Sequence, residues 1–186
     1  MFGKIPQSTI ISRHNKLEPN FDGPTIGVCF DWRKTASGDR CYIAFIYRRV
    51  KEAVERGGGR LYILKFSDRY DDVKHLIDGL LIPGGRDFDP AYYGQENAGS
   101  NFDEEDSPLR YNHLCDFMDN GDPGMPILGV CLGFQFLNIY YKGTLDQHLK
   151  ESSDHHGYVR PIKVKEDSHI WKATKGKKLG GVCYHH

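Results

Sequence analysis

The chain has 186 residues, and its 25 lysines and arginines balance its 25 aspartates and glutamates, so the formal net charge is zero. That balance argues against a nucleic-acid or acidic-membrane partner, and no apolar run approaches the roughly 20 residues that a membrane span needs. Five cysteines, at positions 29, 41, 115, 131 and 183, form an odd number without paired spacing. They favour free thiols in a reducing compartment, so we expect a cytoplasmic protein of one domain.

The first predicted elements follow a polar N-terminus. Residues 1–23 carry only the short apolar patch at 9–11 and lack the pattern of a secretory signal, so we expect a loose extension before a domain at 24–186. The apolar run at 25–30 predicts a strand covered on both faces. Apolar residues then recur at helical spacing, which predicts an amphipathic helix that Gly57-Gly58-Gly59 ends: Ile43, Ile46, Tyr47, Val50 and Val54.

Two more strands and a loop of chemical interest come next. A strand is predicted at 60–66 and another at 79–82, which ends in Gly84-Gly85. Two successive glycines leave backbone N–H groups unshielded, which suits an oxyanion hole, although an ordinary strand-ending turn also fits. Residues 91–106 are polar and irregular and are typical of a lid or a substrate-facing loop. Ser107-Pro108 then opens a predicted helix.

Residues 125–138 are the centre of the chain. They predict a short strand that runs into a helix, with Cys131 at the corner and Gly129 and Gly133 two residues to either side. Such a corner strains the central residue, and the glycines remove side chains that would clash. Cys131 would lie at a helix N-terminus, where the helix dipole favours the nucleophilic thiolate. The alternative is a buried cysteine in a glycine-rich turn.

Strands that alternate with helices at short spacing predict an α/β fold with a doubly wound, mostly parallel sheet. Ligands in such folds gather at the carboxyl ends of strands, where both Gly84-Gly85 and Cys131 are expected. Beyond the elbow the signals weaken: His155-His156 fits a loop, residues 158–164 alternate like a strand, and a last strand is predicted at 180–186.

Four ordered motifs carry a family resemblance. Residues 84–94 resemble the Gly-Gly-x-Asp-x-x-Pro-x-x-Tyr-Gly loop of bacterial-type γ-glutamyl-γ-aminobutyrate hydrolases, and residues 129–138 resemble their elbow. Residues 143–149 and 182–186 are similar to two later segments of those proteins. The chain is thus similar to the γ-glutamyl hydrolase branch of the class I glutamine amidotransferase-like proteins. This resemblance implies a flavodoxin-like three-layer sandwich, and it implies no cofactor or metal.

The resemblance also implies a reaction and a set of site residues. The Cys131 thiolate would attack the γ-amide carbonyl of a small γ-glutamyl compound. The backbone N–H groups of Gly85 and Leu132 would stabilise the oxyanion, each typically by about 3 kcal/mol. An acyl-enzyme would form and then be hydrolysed by water. The residues expected to border the substrate are Gly84, Arg86, Gln135, Tyr184, His185 and His186.

Leu132 stands where family members usually have Arg or Lys, which matters little because only its backbone takes part in the chemistry. The chain also departs from the family pattern in two further places. Leu109-Arg110-Tyr111-Asn112 stands where the family has an Arg-Asp pair, which leaves the anchoring of the substrate loop unassigned. The His-Pro-Glu stretch that supplies the family's general base is also missing from residues 1–186. We therefore expect the sequence to lack its C-terminal segment and, as given, to turn over slowly or not at all, with activity recovered once that segment is restored. An open sheet edge beside 182–186 would favour association, so a homodimer is kept as one option.

Four alternatives to this interpretation remain open. The first is a folate-type γ-glutamyl hydrolase, since the Cys-Leu-Gly-Phe elbow and Tyr42-Ile43-Ala44 resemble that group as well. The second is a ligand-binding pseudoenzyme without a catalytic base. The third is a glutaminase subunit that delivers ammonia to a partner synthase. The last is a metal protein that uses Cys183 and the histidines at 155, 156, 185 and 186, although adjacent histidines rarely bind one ion together.

Overall fold

The computed structural model describes residues 4–18, 20–34, 40–149 and 156–184. The chain divides into two compact units, Met1–Leu145 and Asp146–His186. The expectation of one domain at 24–186 stays a prediction. The first unit takes in the N-terminal residues, and the second is built around a hairpin whose strands pair with each other.

The first unit contains two sheets. The larger sheet has the strand order β5-β2-β6-β7, and every neighbouring pair in it is parallel. Numbered by their order along the chain these four strands run 2-1-3-4, which is the start of a flavodoxin-like arrangement. The smaller, antiparallel sheet has the order β1-β4-β3. The strands are β1 (Lys4–Pro6), β2 (Thr25–Val28), β3 (Arg33–Lys34), β4 (Arg40–Ile43), β5 (Arg60–Ile63), β6 (Gly79–Ile82) and β7 (Ile127–Gly129).

Within the described residues, five α-helices belong to the first unit and lie between or before these strands. The predicted amphipathic helix is present as α2, and Gly58 at φ 79° follows its end, as the glycine run predicted. Part of the segment expected to be irregular forms a 3₁₀ helix at Pro90–Tyr93, where the Asp89 side chain accepts a hydrogen bond from the Ala91 N–H. The α-helices are α1 (Gln7–His14), α2 (Ala44–Arg56), α3 (Tyr70–Val73), α4 (Asp106–Asn120) and α5 (Leu132–Tyr140).

The parallel sheet buries a separate apolar core on each face. Alternation along β6 shows this directly, because Leu80 and Ile82 join one core while Leu81 joins the other. The first core packs the sheet against α3, α4 and α5, through residues such as Phe117 and Phe136. The second core packs it against α1 and α2. The predicted α/β fold with a mostly parallel sheet between two helical layers is confirmed.

The N-terminal residues are part of this fold, which corrects the expectation of a loose extension. Strand β1 pairs antiparallel with β4, and Ile10 of α1 is only 1 % exposed among Tyr47, Leu61 and Ile63. The Asn15 side chain bonds both the N–H and the carbonyl of Ile63. Burial of Ile10 and these paired hydrogen bonds hold the segment against β5.

The second unit is a hairpin with one short helix. Strands β8 (His156–Ile162) and β9 (Leu179–Tyr184) pair antiparallel, with an irregularity in register between His156 and Val159. Between them lies α6 (His169–Thr174), whose N-terminus is capped by the Ser168 hydroxyl accepting from the Trp171 N–H. None of the described helices combines the length and apolarity that crossing a bilayer requires.

Candidate active site

Cys131 lies at the corner between β7 and α5, with an exposed side chain. Its backbone has φ 53° and ψ −115°, a combination that L-amino acids rarely adopt. Residues held in such conformations cost of the order of 1–3 kcal/mol each and persist only where the surrounding structure over-determines them. The strained corner expected from the sequence is therefore present.

The two elbow glycines are required by the close crossing of strand and helix. A Cβ at Gly133 would lie 2.0 Å from the carbonyl oxygen of Ile82, and a Cβ at Gly129 would lie 2.5 Å from the carbonyl carbon of Gly133. Neither φ angle is in the left-handed region. These positions need glycine for space, because any side chain would push α5 away from β6 and β7.

The Gly84-Gly85 loop lies beside the cysteine. A Cβ built on Gly84 would be 3.4 Å from Cys131 Cβ and 3.6 Å from Cys131 Sγ, which is ordinary van der Waals contact. The carboxyl ends of β6 and β7 thus bring together two segments that are more than 40 residues apart in the sequence. Proximity of the loop to the sulfur is what the sequence predicted.

Several backbone N–H groups at this corner have no protein acceptor within the part of the chain that the structure describes, and those of Gly85 and Leu132 are among them. The next amides along α5 are already bonded, since the Gly133 N–H donates to the Val130 carbonyl and the Phe134 N–H donates to the Cys131 carbonyl. The Gly85 and Leu132 groups are those that the resemblance implied as oxyanion donors, and that role stays a prediction.

Behind the loop lies a buried cluster of charged side chains. Asp31, only 6 % exposed, accepts hydrogen bonds from the Arg86 backbone N–H at 2.9 Å and from its guanidinium. Arg110, 4 % exposed, lies 3.1 Å from the Asp31 carboxylate and donates to the Arg86 backbone carbonyl. Its guanidinium also stacks 4.4 Å from the centre of the Phe88 ring. The loop is thus anchored by Arg110 although the Arg-Asp pair of the resemblance is incomplete.

Neither Asp31 nor Arg110 was predicted from the sequence as a site residue. Asp31 lies three residues past the end of β2, near the carboxyl edge where site residues of parallel sheets collect. That position was a usable signal. Arg110 lies in the segment where the family has its Arg-Asp pair, but its role depends on contacts with Asp31, 79 residues earlier in the chain.

The guanidinium of Arg86 bonds to other residues of the protein. It forms ion pairs with Asp31, Asp103 and Asp106, and it donates to the Trp32 carbonyl. Burial pulls the pKa of Arg86 down, but hydrogen bonds and charge from Asp31 and Asp103 outweigh it and raise the pKa above the ordinary value. Its predicted contact with substrate is not visible in these bonds and stays a prediction.

A cysteine–histidine pair occurs in the described part of the chain, but it does not involve Cys131. The Cys29 Sγ lies 3.3 Å from His113 Nδ1 in the first core. Burial raises the pKa of Cys29 to about 12 and lowers the pKa of His113 to about 4. Both groups are therefore neutral near pH 7, which makes the pair a structural hydrogen bond and not a thiolate–imidazolium dyad.

The remaining predicted site residues fall into two groups. Gln135 is half-buried, one turn along α5 from Cys131. Tyr184 is the last residue of β9, in the second unit, while His185 and His186 lie outside the described residues. No cluster of three metal-ligating side chains occurs among residues 4–18, 20–34, 40–149 and 156–184. The histidine at 155, named in the metal alternative, also falls outside those ranges.

Comparison with known proteins adds family information. A model of the family described as Peptidase C26 matches residues 24–186. A Rickettsia prowazekii protein, named as a candidate glutamine amidotransferase-like protein, is 31 % identical over 84 % of this chain and 52 % of its own length. A Mycobacterium tuberculosis protein, named as a candidate glutamine amidotransferase, is 35 % identical over 61 % of this chain and 39 % of its own. The chain thus spans about half or less of the length of these relatives.

Proposed function

The chain belongs to the peptidase C26 family of class I glutamine amidotransferase-like proteins, and from that membership we propose that it is a cysteine hydrolase of γ-glutamyl amides. The substrate is a small γ-glutamyl compound of the γ-glutamyl-γ-aminobutyrate type, and the products are glutamate and the free amine. One observation supports this proposal most strongly. An exposed cysteine occupies a strained strand-to-helix corner with a Gly-Gly loop in contact with it.

The proposed chemistry proceeds in two halves. The Cys131 sulfur attacks the γ-carbonyl carbon, a C–S bond forms, and the carbonyl oxygen becomes an oxyanion. The Gly85 and Leu132 N–H groups donate to this oxygen, a kind of interaction whose loss typically costs about 10²–10³-fold in rate. The C–N bond then breaks, and the departing amine takes its proton from solvent water. Water hydrolyses the thioester, which releases glutamate and restores the thiol.

Recognition of the glutamyl head group is assigned to residues around this corner. Gln135 is supported by its position one turn past Cys131, and Gly84 by its place beside the sulfur, 3.6 Å from which a Cβ on Gly84 would lie. Arg86, Tyr184, His185 and His186 are proposed from the resemblance. The cytoplasm is the proposed compartment, because Cys29, Cys115 and Cys131 are free thiols.

The relatives' names favour a second candidate function. Both name a glutamine amidotransferase, and such an enzyme uses the same cysteine chemistry on glutamine. The acyl-enzyme is then identical, and only the leaving group differs, since ammonia departs in place of a larger amine. The two functions are separated by substrate preference alone.

Steady-state assays with matched variants test the proposal. Amine release from γ-glutamyl-γ-aminobutyrate is measured beside ammonia release from glutamine, for the wild type and for Cys131→Ala and Cys115→Ala. We expect higher kcat/KM with γ-glutamyl-γ-aminobutyrate, loss of activity in Cys131→Ala, and wild-type rates in Cys115→Ala. A preference for glutamine would favour the second candidate, and full activity in Cys131→Ala would contradict both.

A further inference from the structure

The loop that contacts Cys131 is held from behind by one buried carboxylate. Asp31 accepts from the backbone N–H of Arg86, which is the amide directly after Gly85. Arg110 bonds the carbonyl of that same residue 86 and pairs with Asp31. The peptide unit between residues 85 and 86 is therefore held through its N–H, and the next peptide unit is held through its C=O. The two side chains that hold them, Asp31 and Arg110, are themselves paired.

This arrangement also shows which loop amide is already bonded. Since Asp31 takes the Arg86 N–H, that donor is withdrawn from the space beside the sulfur. The preceding donor, the Gly85 N–H, has no acceptor within the described part of the chain. The position of the Asp31 carboxylate therefore determines that the Arg86 N–H bonds to Asp31, while the Gly85 N–H stays available to an incoming oxyanion.

The close packing around Gly85 also connects the loop with the Asp31–Arg110 pair. A Cβ there would lie 2.6 Å from Arg110 Nη1 and 2.7 Å from Asp31 Cβ. Gly85 does not have a left-handed φ, so glycine is required by the close approach of Asp31 and Arg110. The loop backbone rests directly on the charged pair with no side chain between them.

We propose that Asp31 is a positioning residue for the oxyanion donor of this site, acting through Arg110 and the Arg86 peptide without touching substrate. This inference rests on the proposed function for its chemistry, since it presumes that Cys131 is acylated. It adds to the site a residue from the end of β2, which neither contacts the sulfur nor belongs to any motif of the resemblance. Asp31 fixes the peptide orientation that aims the Gly85 N–H.

The test compares two reactions of the same sulfur. Alkylation of Cys131 by iodoacetamide passes through no oxyanion, whereas acetylation by p-nitrophenyl acetate does. Asp31→Asn keeps the shape of the side chain but removes its charge, which leaves Arg110 buried without its counter-ion. We expect acetylation of Cys131 to fall at least about tenfold in Asp31→Asn, with the alkylation rate unchanged within about twofold.

Two further variants complete the design. Asp103→Asn is the matched control, because Asp103 pairs with the Arg86 guanidinium but is 40 % exposed and makes no bond to the loop backbone among its described contacts. It should leave both reactions unchanged. If Asp31→Asn does not fold, Arg110→Lys replaces it. Lysine keeps the charge beside Asp31 but lacks the planar guanidinium that forms an ion pair with Asp31 and also donates to the Arg86 carbonyl.

The outcomes separate cleanly. Acetylation that survives in Asp31→Asn or its substitute overturns the proposal, and so does an equal loss in both reactions, which would mean that access to the sulfur had changed. Acetate is not a γ-glutamyl group, so the comparison works even if wild-type protein leaves γ-glutamyl amides untouched. In that case the proposed substrate is wrong while the positioning role of Asp31 is still decided.

Discussion

At the scale of single residues, the proposed chemistry depends on how different the surroundings of the cysteines are. Cys29 is buried against His113 in the first core, and Cys115 is half-buried in α4. Burial raises the pKa of both thiols, that of Cys29 to about 12. Cys131 is exposed at the start of α5, so its sulfur is open to a reagent.

We expect Cys131 to react with iodoacetamide at least about tenfold faster than Cys29 or Cys115 at neutral pH, because the thiolate is the reactive form and needs access. Peptide mapping by mass spectrometry after timed labelling gives the three rates. Unfolding the protein in urea should erase the difference. Faster labelling of Cys29 or Cys115 in the folded protein would show that the corner residue is not the activated thiol.

His113 predicts a pH dependence of stability. Its pKa is lowered to about 4 in the folded state by burial, against about 6.5 when unfolded. Between these values the unfolded chain binds more protons, so stability rises with pH and is lost as the pH falls from about 6.5 towards 4. The shift corresponds to a loss of about 2 kcal/mol between pH 7 and pH 5.

Urea unfolding at pH 7 and pH 5 measures this loss. The control variant, His113→Leu, has no titrating ring. Its free energy of unfolding should therefore fall by about 2 kcal/mol less than that of the wild type between pH 7 and pH 5. The carboxylates contribute equally to both proteins and cancel in the comparison. An identical pH dependence in the two proteins would mean that His113 titrates normally.

At the scale of elements, the crossing of β6, β7 and α5 determines the elbow. The Ile82 carbonyl lies where a Cβ of residue 133 would be. We expect Gly133→Ala to lower the free energy of unfolding by about 1–3 kcal/mol or more, since overpacking forces the backbone to shift. Gly124→Ala is the matched control, because its nearest atom is 3.5 Å away and its φ is unstrained.

Urea denaturation of the two alanine variants makes the comparison. The Gly133→Ala protein should also lose iodoacetamide reactivity at Cys131, because movement of α5 relaxes the corner that holds the sulfur. Equal stability of the two variants would show that helix and strand are not in close contact at this point.

The N-terminal helix supplies a second prediction at this scale. Ile10 fills part of the second core, so Ile10→Ala should cost about 2–5 kcal/mol of stability through lost burial and a residual cavity. Ser12→Ala, on the exposed side of the same helix, should change stability by less than about 0.5 kcal/mol. Thermal or urea unfolding distinguishes them, and a silent Ile10→Ala would restore the idea of a loose extension.

At the scale of the whole molecule, the sequence was most informative where a pattern was local. The helical spacing of Ile46, Tyr47, Val50 and Val54 predicted α2, and the glycines around Cys131 predicted a strained corner. Helix α1 was missed because eight residues with two adjacent isoleucines form no clear stripe. Its burial depends on Leu61 and Ile63, some 50 residues away.

Only part of the site could be predicted from the sequence. Gly84 and Cys131 sit at the ends of neighbouring parallel strands, so strand order alone brings them together. The contacts of Asp31 with Arg86 and Arg110 follow from side-chain packing between three elements, and no sequence period encodes that. Motifs therefore predicted the reacting corner, and the structure added the residues that hold it.

The central claim is that Cys131 carries the glutamyl group as a thioester. Intact-protein mass spectrometry, taken within seconds of mixing the protein with a γ-glutamyl p-nitroanilide and quenching in acid, tests it directly. The account predicts a gain of one glutamyl residue, mapped to the peptide containing Cys131 and absent in Cys131→Ala. Release of nitroaniline with no adduct on Cys131, or an adduct that persists in Cys131→Ala, would contradict it.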